Sequence, residues 1–349
     1  SVDVLLNLVL ETAKIGVDVM ALLDKVNTEA YGNPEMTKVN MGETESMFLI
    51  SLHDSHDTED LLRQTEGQGI NIYTHSEILS DHFILIEAIQ AFSGQLWQNV
   101  METEGGFESF HGPIIFTANC VVPPLPNASC KDRVFTLNST GNSGWKHIPT
   151  SKEGQKDFSE VIAMFAASYG DRVREIIGDF SHAQVGALAD KIVEAVKSGA
   201  FKKFVVMSGC DGWMKIRTYY EEFAKDLPKY MVILPSGCAK YRYVKLSLGD
   251  ILGTLGLEVG RATPVIHGGR GNKVAEIFQA NDINDLPIVF YIAGDELMAD
   301  IVLLAILSLG IKNIHICPTL PVFVSPNVLV EKFGLGGISI MEEDLKKMM

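Results

Sequence analysis

The sequence predicts an α/β protein: two domains built on largely parallel sheets, behind a leading helical segment. Three observations lead there. Short β-rich runs alternate with longer helical patterns along most of the chain, as they do where crossover helices join parallel strands. A length of 349 residues gives room for about two domains. Hydrophobic residues make up 46% and charged residues 21%, which supports buried cores and excludes a disordered chain.

The elements follow in order. Within Val2–Val26, Leu5, Leu8, Val9, Ile15, Val19, Leu22 and Val26 recur at helical spacing and predict a core helix buried along that stripe. Asp3, Glu11 and Asp18, with no basic leader, set this stretch apart from a signal peptide. Met47–Leu52, Ile70–Tyr73, Pro113–Ala118 and Arg133–Leu137 are short runs rich in β-branched and aromatic residues, and they predict the strands of the first domain. Helical patterns at Asp57–Thr65 and Phe158–Tyr169 accompany them. Gly141–Gly144 and Thr150–Lys156 read as loops. The second domain carries strands at Lys203–Met207, Tyr230–Leu234, Pro287–Ile292 and Asn313–Ile316, with helices at Ala183–Ser198, Thr218–Lys225, Val274–Phe278 and Glu296–Leu309. A break near residue 180 divides the chain into a helical segment (1–40), a first α/β domain (41–182) and a second (183–349).

Charge and cysteine usage narrow the function classes. Lys and Arg number 29 against 44 Asp and Glu, a net charge of −15. Phosphate backbones and anionic lipid repel such a chain, so nucleic acid and membrane surfaces are not expected partners. The nearest candidate for a membrane span, Ile301–Leu309, is about half the ~20 residues one needs. The cysteines stand at 120, 130, 210, 238 and 317 with no CxxC pair. That pattern argues against a disulfide framework and for a reducing, cytoplasmic compartment.

Ligands of open α/β sheets bind where the carboxyl ends of strands converge. Just past six predicted strands stand His53, Glu77, Cys120, Cys210, Cys238 and Glu296. Imidazole and thiolate suit zinc, copper and iron–sulfur groups, while carboxylate suits harder ions. The mixed set points to a metal site of both soft and hard character. Each residue has a plainer reading too: a Cys after a strand packs as a small hydrophobe, and a loop His or Glu is a cap or a solvated side chain. Cys130 and Cys317 are read as packing residues, and His56, His82 and His147 as surface or loop residues.

Longer stretches carry a resemblance. They are Glu66-Gly67, Ile70–Glu77, Phe107–Pro124, Lys131–Phe135, Gly209-Cys210-Asp211-Gly212, Gly237-Cys238-Ala239-Lys240-Tyr241-Arg242, Leu248-Gly249-Asp250 and Leu309–Asn327. Over nearly its full length the chain resembles the hybrid cluster proteins, also known as the prismane or hydroxylamine reductase family. Their general fold is shared with nickel carbon monoxide dehydrogenases. The resemblance implies two Rossmann-like domains with, between them, a four-iron hybrid cluster bridged by sulfur and oxygen. It implies His53, Glu77, Cys120, Cys238 and Glu296 as ligands, and Cys210 as the persulfide-bearing cysteine. Reduction of hydroxylamine, or of nitric oxide, is the implied reaction. Glu77, Glu296 and His75 are the implied proton donors, and a reductase the electron-donating partner.

Three departures accompany the resemblance. Ala262, in Glu258-Val259-Gly260-Arg261-Ala262-Thr263, stands where the family has its fourth thiolate. Met298 replaces a lysine expected two residues after Glu296. The family's N-terminal region, with its own Cys-ligated iron–sulfur cluster, has no counterpart. Beside an intact or altered cluster stand two other readings: a pseudoenzyme that keeps the fold as a binding or structural protein, and a smaller iron or zinc site. Water, or sulfur from Cys130 or Cys317, is the substitute at the gap that Ala262 leaves.

Overall fold

The computed structural model describes residues 2–33, 38–43, 47–51, 54–75, 96–98, 106–108, 110, 112–117, 127–164, 172–177, 187–209, 218–236, 243, 246, 283–293 and 297–316. The chain divides into two compact units, one of residues 34–179 and one of residues 1–33 with 180–349.

In the unit of residues 34–179, eight described strands form one sheet. They are β1 (Lys38–Glu43), β2 (Met47–Ser51), β3 (Asn71–His75), β4 (Leu96–Gln98), β5 (Ile114–Phe116), β6 (Val134–Thr136), β7 (Lys146–His147) and β8 (Arg172–Ile177). Their order across the sheet is β7-β6-β5-β2-β3-β4-β1-β8. Every neighbouring pair is parallel except β1 and β8, which run antiparallel from Lys38↔Ile177 to Glu43↔Arg172. Phe48 and Ile50 of β2 pack with Ile72 of β3, Ile115 of β5 and Phe135 of β6, against Leu61 and Leu62 of helix α2 (Ser55–Gln64). Alternate residues of each strand meet that helix because successive side chains point to opposite faces.

Helix α2 starts where it does because Asp54, in extended conformation, accepts the Asp57 backbone N–H at 3.0 Å. This satisfies one of the donors a helix leaves open at its start. At the other end the Thr65 N–H and hydroxyl both donate to Leu61 O. Gly67 and Gly69 then take φ of 70° and 69°, a left-handed conformation that only glycine adopts without penalty, and turn the chain into β3. The short helix α3 (Ser159–Ala163), with Phe158 as its N-cap, starts one residue after the expected Phe158. Met164 closes it in a turn, and residues 165–170 lie outside the described set.

The second unit holds a four-stranded parallel sheet in the order β10-β9-β11-β12, from β9 (Lys203–Gly209), β10 (Met231–Ser236), β11 (Ile288–Ala293) and β12 (Ile314–Ile316). Phe204, Val206 and Phe290 bury one face under Ile192 of helix α4 (Ala189–Lys197) and Leu303 and Ile306 of helix α6 (Leu297–Ser308). Val205, Met207 and Tyr291 bury the other under Tyr220 and Phe223 of helix α5 (Thr218–Asp226). Both faces are covered, so these strands read as continuous apolar runs. The predicted helix at Val274–Phe278 lies outside the described residues.

The leading helix α1 (Val2–Tyr31) forms as predicted, but the face it buries is a different one. Leu5, Leu8, Ile15, Val19, Leu22 and Val26 are all more than half exposed, whereas Ala13 and Val17 are buried. Apolar residues occupy nearly every side of this helix, so periodicity alone could not choose between faces. Small side chains chose it. At Gly16 a Cβ would come 2.7 Å from Ile301 Cγ2 of α6, so the two helices approach closely there. Gly16→Val should therefore lower thermal stability by about 1–3 kcal/mol through overpacking. Ile301→Ala in the same chain should recover part of the loss, and a strictly additive double mutant in a thermal melt would contradict this contact. No helix among the described residues is long and apolar enough to cross a membrane.

Candidate metal centre

Three adjacent parallel strands at the middle of the larger sheet, β5, β2 and β3, end level with one another. Ser51 of β2 pairs with Phe116 on one side and with His75 on the other. Neighbouring strands lie about 4.8 Å apart, so three chain ends leave one edge within roughly 10 Å. In sequence, His53 comes two residues after Ser51, Glu77 two after His75 and Cys120 four after Phe116.

The smaller sheet repeats the arrangement. Strands β10, β9 and β11 are adjacent and parallel, with Ser208 of β9 opposite Ser236 and Ile292. Cys210 directly follows Gly209, Cys238 comes two residues after Ser236 and Glu296 three after Ala293. In both sheets the strand order reverses at the first of these strands: β3 lies on one side of β2 and β5 on the other, as β10 and β11 do about β9. Such reversal points are where open α/β sheets take ligands.

The six donors themselves, His53, Glu77, Cys120, Cys210, Cys238 and Glu296, lie outside the described residues, as does Ala262. Met298 is in the first turn of α6. Among the described residues no three His, Cys, Asp or Glu side chains gather as a metal site. One thing can be tested, the chemistry of the donor set. Three thiols, one imidazole and two carboxylates fit a group with both sulfur-like and oxygen-like metal sites.

His75 is described, and its surroundings are specific. Its Nδ1 lies 2.7 Å from Ser51 Oγ in a shared hydrogen bond, and its ring meets Phe107 edge-on at 5.5 Å. Burial of the ring lowers its pKa to about 4, because removal from water disfavours the charged form. The bond to Ser51 ties the ends of β2 and β3 together.

The residues read as bystanders keep that character where they are described. Cys130 is fully buried and burial pushes its thiol up, away from the thiolate a metal needs. His56 is exposed beside Asp60 on α2 at 3.8 Å. His147, on β7, has its Nδ1 3.0 Å from Thr136 Oγ1. Cys317 and His82 lie outside the described residues.

A polar group of the first unit escaped the sequence reading. Lys156 pairs with Asp57 with side chains only 5% and 0% exposed. Asn138 donates to the other Asp57 oxygen at 2.7 Å and to Thr117 O at 3.0 Å. Burial raises the Asp57 pKa, with Asp54 adding to the rise and hydrogen bonds from Lys156 and Asn138 opposing it. The one sequence signal was Asp54, a capping residue ahead of an amphipathic stretch.

Comparison with known proteins places this architecture. The sequence pattern of the Prismane/CO dehydrogenase family matches residues 1–346. The chain belongs to that family. Within it, the chain is 51% identical over 367 aligned positions to a hydroxylamine reductase of Porphyromonas gingivalis, covering all of this chain and 65% of the relative. Hydroxylamine reductases of Clostridium botulinum and Bacteroides fragilis are 51% and 50% identical, with 63% and 66% of their lengths covered. The chain thus spans about two thirds of the length of the curated relatives it matches. Carbon monoxide dehydrogenase IV from Carboxydothermus hydrogenoformans has a similar fold, with a TM-score of 0.64 at 16% identity over 94% of this chain and 63% of that one.

Proposed function

We propose that this chain forms a hydroxylamine-reducing site on an iron–sulfur–oxygen cluster held by His53, Glu77, Cys120, Cys210, Cys238 and Glu296. What carries the reading is the coincidence of two independent facts. The full chain is about half identical to hydroxylamine reductases, and in sequence a fitting donor follows each of three adjacent parallel strands in the one sheet and each of three in the other.

The reaction breaks the N–O bond: hydroxylamine, two electrons and two protons give ammonia and water. The cluster supplies electrons and open coordination sites. Glu77 and Glu296 are the carboxyls that bring protons to the departing oxygen and to nitrogen. His75, at the end of β3 and bonded to Ser51, is the third group in this reading that passes protons. Electrons come from a partner reductase, and nitric oxide is the second substrate to assay.

Ala262 and Met298 favour a second reading, a retired cluster fold that serves as a binding protein. Iron and acid-labile sulfide, measured per chain on protein prepared without oxygen, separate the two. Several irons with matching sulfide and a brown visible spectrum are expected, followed by ammonia production from hydroxylamine with an artificial electron donor. A colourless, iron-free, well-folded chain would end the redox reading and leave the second.

A further inference from the structure

Under the carboxyl-terminal edge of the larger sheet, two sets of polar groups meet at Ser51, one at its hydroxyl and one at its carbonyl. His75 Nδ1 bonds Ser51 Oγ. Ser51 O accepts from both the backbone N–H and the hydroxyl of Thr117, at 3.1 and 3.2 Å. Thr117 O accepts from Asn138 Nδ2, which also reaches Asp57 Oδ2, and Lys156 bonds Asp57 Oδ1. Asp57 in turn donates its backbone N–H to Asp54. Ser51, Thr117, Asp57 and Lys156 are all buried.

The path of this network follows the donors rather than the centre of the core. Ser51 and His75 each stand two residues before a proposed ligand, and Thr117 stands three before a third. Asp54 follows His53 directly, so Ser51 and Asp54 are anchored with only Leu52 and His53 between them. A buried ion pair gives little net stability over an apolar filling of the same space. Its geometric effect is larger, because the buried Asp57 carboxylate, with one oxygen on Lys156 and the other on the exposed Asn138, is held in one arrangement.

We propose that Asp57, Lys156 and Asn138 are positioning residues that hold Asp54 and Thr117, and through Thr117 also Ser51, the described residues from which the segments carrying His53 and Cys120 depart. The proposal rests on the ligand set given above. Ligands held in place by outer groups bind metal more tightly, because less ordering remains to be done on binding.

Two variants test it. Asn138→Gly removes the amide while suiting the left-handed backbone at φ 53°. The double variant Asp57→Asn/Lys156→Met removes both charges and leaves neither unpaired, and thermal melts establish that each chain folds. In the metal-free chain, amide hydrogen exchange across residues 51–58 should speed up about tenfold or more while β9 and β11 keep their protection. In the reconstituted chain, iron affinity should fall about 10–100-fold, and the nitrogen hyperfine coupling of the histidine ligand to the paramagnetic cluster should weaken or broaden.

Unchanged exchange across 51–58 would overturn the proposal. So would faster exchange with wild-type iron affinity and nitrogen coupling, which would make the network structural only. Failure of the underlying function shows elsewhere: the wild-type chain itself would take up no iron, and the proposal would fall with it.

Discussion

Cys238→Ser, prepared without oxygen beside the wild type, is expected to lose most of its iron and acid-labile sulfide and its visible absorption. The argument is chemical. A thiolate is a soft, polarisable ligand that iron and bridging sulfide favour, while a serine hydroxyl is hard and stays protonated at neutral pH. The fold gives no reason for the variant to misfold, because β10 is paired with β9 along its whole length, from Met231↔Lys203 to Ser236↔Ser208, before residue 238 is reached. Ala262→Cys probes the same site in the opposite direction. If a missing thiolate limits assembly, it should raise iron per chain above that of the wild type. Wild-type iron content in Cys238→Ser would remove this residue from the ligand set, and a colourless Ala262→Cys chain would show that one thiolate is not what limits assembly.

How much of this was legible in the sequence depends on what each element faces. Strands β2, β3, β5, β6 and β9–β12 were readable because parallel strands covered on both faces appear as unbroken apolar runs. The edge pair β1 and β8 was not. Lys38–Glu43 and Arg172–Ile177 mix charges into the run and resemble polar connections until their antiparallel pairing is seen. Strand β7 is two residues long and sits in a stretch rich in turn formers. Helix α1 was readable as a helix but not by face, since the deciding feature was the absence of a side chain at Gly16 opposite Ile301.

The candidate site divides along similar lines. Donor types after strand ends were visible, because the chain itself places them there. That the donor-bearing strands are neighbours, and end in register, belongs to the sheet order and could not be counted from sequence. The support beneath them was invisible. Lys156 lies 99 residues from Asp57, in a stretch read only as a loop, and no local pattern connects the two.

Lys156→Met should destabilise the unit of residues 34–179 by about 3–5 kcal/mol near neutral pH. Removing the ammonium leaves the Asp57 carboxylate in a place water does not reach, since its side chain is 0% exposed, with Asn138 as its remaining side-chain donor. The double variant Asp57→Asn/Lys156→Met should recover most of that loss, because no charge is then stranded. The pH dependence has a definite sign. Burial already raises the Asp57 pKa, and Lys156 is among the groups that oppose the rise, so the substitution moves it further up. A carboxyl with a folded-state pKa above its unfolded value binds its proton more tightly when folded, and stability falls as pH rises between those two values. The deficit of Lys156→Met should therefore be largest at neutral pH and shrink as the solution is acidified below the raised pKa, where the neutral carboxyl needs no cation. Denaturant titrations of wild type and variant across that range measure it. A deficit that stays constant, or grows on acidification, would mean that lost packing of the lysine stem, rather than a stranded charge, governs the change.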